Sequence, residues 1–142
     1  MKIQNILAVC VGNICRSPMA EYLLKQQYPQ LHIVSAGISG LTAHAADQKA
    51  NLCMQRLGID MSPDIAQKLN AELIKKADLI LVMSQNQQKH LEQTWPFAKG
   101  KTFRLGHWRG RNVPDPYQHE QLVFNETCQL IQDCISDWTQ HI

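Results

Sequence analysis

The stretch Ile3-Gln4-Asn5-Ile6-Leu7-Ala8-Val9-Cys10-Val11-Gly12-Asn13-Ile14-Cys15-Arg16-Ser17-Pro18-Met19-Ala20-Glu21-Tyr22-Leu23-Leu24 decides the fold. Ile3–Val9 is a short apolar run and reads as a buried strand. Met19, Ala20, Tyr22, Leu23 and Leu24 recur as the apolar positions of a helix running from Ser17 to Gln27. Between them lies a loop with a cysteine at its start and an arginine at its end. A helix N-terminus carries unpaired N–H groups and about half a positive charge, so tetrahedral anions settle there. Ser17 reads as the N-cap and Pro18 as the first helical residue. Gly12 and Asn13 tolerate positive φ, which turns the loop N–H groups of Val11, Gly12, Asn13, Ile14 and Cys15 inward as an anion nest. The fork of Arg16 matches two oxygens of a phosphate. A cysteine facing such a positive end is favoured as thiolate, and a thiolate beneath a held phosphate is placed for in-line attack on phosphorus.

Outward from this stretch, three further apolar runs read as strands: Leu31–Ser35, Leu79–Met83 and Lys101–Leu105. Helical periodicity covers His44–Leu57, closed by Gly58, then a short helix capped by Asn70 and running to Lys76. Ser84 caps another to Gln93, and Glu120–Gln140 forms the last. Strands alternating with helices predict a single α/β domain over residues 1–142, with a four-stranded parallel sheet flanked by helices in three layers. In such sheets the ligand lies beyond the carboxyl ends of the strands, at a switch point. The segment after the last strand, Val113-Pro114-Asp115-Pro116-Tyr117, therefore shares an end of the sheet with Cys10. A carboxyl group there, held between two prolines, is positioned to protonate a leaving oxygen and then to take a proton from water. Tyr117 is available to flank an aromatic substrate ring. Ser35, ending the second strand, is in reach of Asn13 to brace the loop.

Composition narrows the field. The chain has 142 residues and a net charge of +2, too little to indicate nucleic acid as a partner. Its length suffices for a full core without metals or disulfides. The five cysteines are odd in number, with no Cys-x2-Cys pair and no histidine cluster to suggest zinc, so neither metal nor cofactor is expected. No export signal is apparent, and reduced thiols in the cytoplasm are the expected state. Lys99, Lys101, Arg104, His107, Arg109 and Arg111 form a basic stretch, either a solvated face or an attractor of phosphorylated, acidic tails.

The chain resembles the low-molecular-weight protein tyrosine phosphatases over nearly its whole length, through the Cys10–Pro18 loop, Ser35-Ala36-Gly37 and Asp115-Pro116-Tyr117. Gly106-His107-Trp108 and the Pro-Asp-Pro-Tyr run place the resemblance in the bacterial Wzb-type branch, whose members dephosphorylate membrane tyrosine autokinases that control capsule and exopolysaccharide export. The resemblance implies Cys10 as nucleophile, Arg16 as phosphate clamp, Asp115 as general acid then base, Ser17 as hydrogen-bond donor to the thiolate and Asn13 as a brace. It also implies the phosphotyrosine tail of such an autokinase as the partner. Many eukaryotic members carry a second tyrosine where this chain has Gln118, and an aromatic residue where it has Leu41, leaving a less enclosed substrate pocket.

Two rivals share the residues. An arsenate reductase on the same fold would hold its oxyanion with Cys10 and Arg16, but the thioredoxin-coupled kind needs relay cysteines, and Ser84–Glu92 has none. A non-catalytic phosphotyrosine-binding module would need neither Cys10 nor Asp115. A further expectation concerns Cys15: if it comes within bridging reach of Cys10, a disulfide between them would protect the nucleophile from irreversible oxidation.

Overall fold

A computed structural model describes residues 2–39 and 41–142. The strands are β1 (Asn5–Cys10), β2 (His32–Gly37), β3 (Leu79–Val82) and β4 (Thr102–Arg104), paired in parallel in the order β2-β1-β3-β4. The helices are α1 (Arg16–Gln27), α2 (Gln48–Arg56), α3 (Ala71–Lys76), α4 (Gln85–Thr94) and α5 (Gln121–Trp138), with 3-10 turns at Pro96–Ala98 and His107–Arg109. The predicted α/β architecture with its phosphate-type loop after the first strand is the one observed.

Alternation along β1 divides the core. Ile6, Ala8 and Cys10 point to one face and pack with α1, α2 and α5 through Met19, Leu24, Met54, Phe124 and Ile131. Leu7 and Val9 point to the other and pack with α3 and α4 through Ile74 and Leu91. A strand buried on both faces needs no polar alternation, which is why Ile6–Cys10 is apolar throughout. The chain leaves β1 for β2 on one side and later returns to β3 on the other. The carboxyl end of β1 therefore lies beside the switch point, where these sheets open a crevice.

Element ends differ from the sequence reading where long-range contacts act. β1 starts at Asn5 because Asp78 Oδ2 accepts from the backbone N–H groups of Gln4 and Asn5, each at 2.9 Å. It runs through Cys10, which pairs with Gly37. The second helix starts at Gln48 rather than near His44. Asp47 caps it by accepting from Lys49 N at 2.8 Å, while Ala45 is drawn into a bridge with Ile65. Gly37 is required by close approach, since a Cβ there would lie 2.8 Å from Val11 O and 2.9 Å from the Gly12 carbonyl carbon.

One buried carboxylate weakens the fold at neutral pH. Burial, followed by the nearby charge of Glu21, raises the Asp64 pKa to about 6, and its Oδ2 has no hydrogen-bond partner. The unfolded carboxyl titrates near about 4. Above pH ~6 the folded state bears a charge it disfavours, and the cost is present in full. As pH falls from ~6 towards ~4, the folded protein takes up the proton before the unfolded chain does, and the cost disappears. Partial exposure screens the effect, so Asp64→Asn is expected to stabilise the protein by about 1 kcal/mol at pH 7.5 and by almost nothing at pH 4. Urea melts of both proteins at the two pH values measure the difference.

Candidate active site

The loop after β1 curls around the sulfur of Cys10. Asn13 N–H donates to Cys10 Sγ at 3.3 Å, and the Ser17 hydroxyl lies 3.0 Å from the same atom. The left-handed turn falls on Asn13, with φ 58°. Gly12 is not among the positive-φ residues, contrary to expectation. A Cβ on Gly12 would instead meet the Leu41 side chain at 2.8 Å, so close approach is what favours glycine there. Helix α1 begins at Arg16, with Cys15 at the cap position and no side-chain cap bond. This corrects the reading of Ser17 as N-cap. Ser17 sits in the first turn with its hydroxyl directed at Cys10, so no side chain covers the helix end that faces the loop.

Behind the loop runs a buried relay. Asn13 Nδ2 donates to Ser17 Oγ and to Ser35 Oγ, both at 2.8 Å. Asn13 Oδ1 accepts from Gln67 N at 3.0 Å. Ser35 Oγ in turn donates to Glu21 Oε1 at 2.6 Å, and Lys25 pairs with the other oxygen of Glu21. The direction of every bond follows from the ends. A carboxylate only accepts, so the single Ser35 proton goes to Glu21. Asn13 then spends its two N–H groups on the serines, and the Ser17 proton is left to point at sulfur. Asn13 and Ser17 are both buried, at 1% and 0% exposure, so they support the loop from behind rather than lining the pocket. The predicted Ser35–Asn13 bond is present. Glu21 and Gln67 were missed; the only sequence sign of Glu21 is a lone carboxylate inside the run Met19–Leu24 of α1.

The second half of the site arrives from the chain segment that follows β4, at the same end of the sheet. Val113 N–H donates to Met83 O at 2.8 Å, fastening the segment before Asp115 just past β3. Arg16, only 5% exposed, donates through Nη1 to Val113 O at 3.0 Å, and its Nη2 lies 3.7 Å from Asp115 Oδ2. Asp115 is half-exposed, and its Oδ1 accepts from Tyr117 N at 3.0 Å, which sets the turn between the prolines. Together these surround a pocket of about 140 Å³ lined by Cys10, Val11, Gly12, Ile14, Cys15, Arg16, Ser39, Leu41, Asp115 and Tyr117. Val11 and Tyr117 are exposed at its rim. Ser39, absent from the sequence reading, joins them and donates to Val11 O at 3.0 Å.

Cys15 lines the same pocket, buried, its thiol pushed well above the ordinary range by burial and then by Asp47. All five cysteines are free thiols. Among the described residues no three His, Cys, Asp or Glu side chains are grouped to hold a metal. Three residues of the basic stretch are tied into the fold. Lys101 caps the end of α3 by donating to Ile74 O and Ala77 O, each at 2.7 Å. Arg109 pairs with Asp137 of α5 at 2.6 Å, and Arg104 bonds Asn112.

The relay makes a specific expectation. Ser35→Ala breaks the path from Glu21 to Asn13 without touching the pocket, and should lower kcat on aryl phosphates about 5–10-fold, the worth of roughly one net hydrogen bond, with little change in KM. An unchanged kcat would make the relay purely structural.

Residues 5–142 match the family described as low molecular weight phosphotyrosine protein phosphatase. A low molecular weight protein-tyrosine-phosphatase Ptp of Acinetobacter johnsonii is 75% identical over 142 residues, covering 100% of both chains. A probable low molecular weight protein-tyrosine-phosphatase EpsP of Ralstonia nicotianae is 41% identical over 140 residues, covering 99% of this chain and 97% of its own. Among solved structures, Vibrio vulnificus Wzb in complex with benzylphosphonate superimposes with a TM-score of 0.95 at 36% identity, covering 99% of this chain and 100% of that one.

Proposed function

The chain belongs to the low molecular weight phosphotyrosine protein phosphatases and is a cysteine-dependent protein-tyrosine phosphatase; from that premise we propose how its residues divide the work and on what they act. The observation that carries the assignment is the convergence of Cys10, Arg16 and Asp115 on one small pocket, from loops more than a hundred residues apart in places.

The phosphoryl group of the substrate enters the loop, its oxygens received by the inward N–H groups and by the fork of Arg16. Cys10 Sγ attacks phosphorus in line; the sulfur–phosphorus bond forms as the bond to the tyrosyl oxygen breaks. Asp115 gives its proton to that oxygen, so tyrosine leaves neutral. Water then attacks the phosphocysteine, Asp115 takes its proton, and the sulfur leaves with its electron pair, supported by Ser17 and Asn13 N–H. Arg16 and the loop stabilise charge on the transferring group in both steps, and such preorganised donors are the largest contribution to most enzymes of this kind. Val11, Leu41 and Tyr117 hold the substrate ring at the rim.

The substrate of this reading is a phosphotyrosine segment on the cytoplasmic tail of a membrane tyrosine autokinase serving capsule or exopolysaccharide export. Its support is the likeness to Wzb and EpsP proteins and a pocket open enough, with Leu41 and Gln118 in place of rings, to accept tyrosines in a flexible tail. No helix is long and apolar enough to cross a membrane among the described residues. Lys101 and Arg109 contribute little to capture in this reading, because both already have partners.

Turnover of p-nitrophenyl phosphate and of a phosphotyrosine peptide, in the presence of a chelator and with arsenate reduction run alongside, tests the assignment. Hydrolysis of both esters, undiminished by chelator and without arsenate reduction, is expected. Arsenate reduction in place of hydrolysis, or binding of the peptide without turnover, would install one of the rivals.

A further inference from the structure

The carbonyl groups of the anion loop are held from outside it. Ile38 N–H donates to Cys10 O at 3.0 Å, and Asp47 N–H donates to Ile14 O at 2.8 Å. Val11 O is held twice by one residue. Ser39 donates to it through its backbone N–H at 2.9 Å and through its hydroxyl at 3.0 Å. A carbonyl oxygen has two lone pairs, and Ser39 supplies a donor for each. The lack of a side chain on Gly37 clears the approach, since a Cβ there would lie 2.8 Å from Val11 O.

This hold fixes more than an oxygen. The loop peptides are trans, and in a trans peptide the C=O and the next N–H point in opposite directions. Turning Val11 O towards Ser39 therefore turns the Gly12 N–H away from it. That N–H donates to no acceptor among the described residues, whereas Asn13 N–H is spent on Cys10 Sγ. Gly12 lines the pocket at Cys10, so its donor is available to an anion held there. The same chain segment runs on to Leu41, whose Cδ1 would lie 2.8 Å from a Cβ on Gly12. It thus bears on the Val11–Gly12 peptide at two points.

We infer that Ser39 is a positioning residue for the phosphatase reaction: its paired donors on Val11 O aim the Gly12 N–H at an oxygen of the phosphoryl group bound in the loop. The inference rests on the phosphatase reading of the site and adds to it a residue from outside the loop. The backbone N–H of Ser39 engages one lone pair and leaves the peptide plane free to tilt about that bond. The hydroxyl engages the second and removes the tilt. Donors that stabilise a transferring phosphoryl group act through their fixed direction, so a tilted Gly12 N–H loses anion affinity and rate together.

Two simpler roles for Ser39 have different consequences. It lies exposed at the rim of the pocket, where a hydroxyl also has access to the peptide chain around a phosphotyrosine. A contact of that kind acts on peptide substrates and not on a bare inorganic anion. A purely structural bond acts on stability and not on anion affinity. Aiming the Gly12 N–H acts on every ligand that places a tetrahedral or five-coordinate oxyanion in the loop, whatever is attached to it.

The experiment compares Ser39→Ala and Ser39→Thr with the wild type. It uses titration calorimetry with inorganic vanadate, kcat/KM on p-nitrophenyl phosphate and on a phosphotyrosine peptide, and thermal melting. Vanadate affinity and both values of kcat/KM are expected to fall about 3–5-fold in Ser39→Ala, the worth of roughly one net hydrogen bond, and to recover in Ser39→Thr, which keeps the hydroxyl. Vanadate affinity unchanged in Ser39→Ala would overturn the inference, whether the loss then fell on the peptide alone or on the melting temperature alone. Failure of Ser39→Thr to recover would overturn it too. A wild-type chain that hydrolyses neither ester would remove the phosphatase reading, and the vanadate comparison would still decide whether Ser39 aims the loop.

Discussion

Cys10→Ser is expected to hold phosphate esters and to stop turning them over. The hydroxyl of serine fits the space of the thiol at the end of β1, and the loop N–H groups and Arg16 that receive the phosphoryl oxygens are unchanged. A serine hydroxyl with no base beside it is a far weaker nucleophile than the cysteine sulfur, which lies 3.0 Å from the Ser17 hydroxyl and accepts from Asn13 N–H at 3.3 Å. Loss of a nucleophile that acts as a unit with its supports costs about 10⁴-fold or more in kcat, while ground-state binding is nearly preserved. Titration calorimetry with phosphotyrosine, beside a p-nitrophenol release assay, separates the two quantities. A variant that binds no ester would mean that the substitution collapsed the loop. One that retains substantial turnover would remove Cys10 from the chemistry.

Asp115→Asn should slow hydrolysis by about 10²–10⁴-fold for esters with poor leaving groups, the usual worth of general acid catalysis. The geometry supports the role without strain: the carboxyl is half-exposed, its turn is pinned by the Tyr117 N–H and by flanking prolines, and Arg16 stands 3.7 Å away. Asparagine keeps the turn acceptor and loses the proton. For p-nitrophenyl phosphate, whose leaving group needs little protonation, the loss should be much smaller, so the ratio of rates on phenyl and p-nitrophenyl phosphate is the informative number. An equal loss on both esters would show that Asp115 positions substrate rather than donating a proton.

Local order in the chain made the site legible before any coordinates. A strand, a Gly-Asn loop, an arginine and a helix in immediate succession prescribe an anion cradle, and a parallel sheet sends the loop after the last strand to the same end. Cys10, Arg16, Asp115, Leu41 and Tyr117 do share one pocket. What the sequence could not disclose depends on partners distant along the chain. Ser17 looks like a cap because serine before proline usually is one, yet its hydroxyl is claimed by Cys10. Glu21 resembles a solvated helix residue until Ser35 and Lys25 are brought to it. Lys101 and Arg109 resemble a docking stripe until the ends of α3 and α5 are placed beside them. The start of α2 moved because Asp47, not His44, has the geometry to accept from its first turn.

The central claim is a covalent phosphoryl group on Cys10, and trapping it is the most direct test. The enzyme is mixed with excess p-nitrophenyl phosphate in a rapid-quench device, denatured within the first turnover, digested, and its peptides examined for a phosphoryl adduct by mass spectrometry under conditions that preserve thiophosphate esters. A burst of p-nitrophenol matched by an adduct on the tryptic peptide Ile3–Arg16, located at Cys10 and absent from Cys10→Ser, is the predicted result. Steady turnover with no phosphorylated peptide, or with the adduct on any other residue, would contradict it.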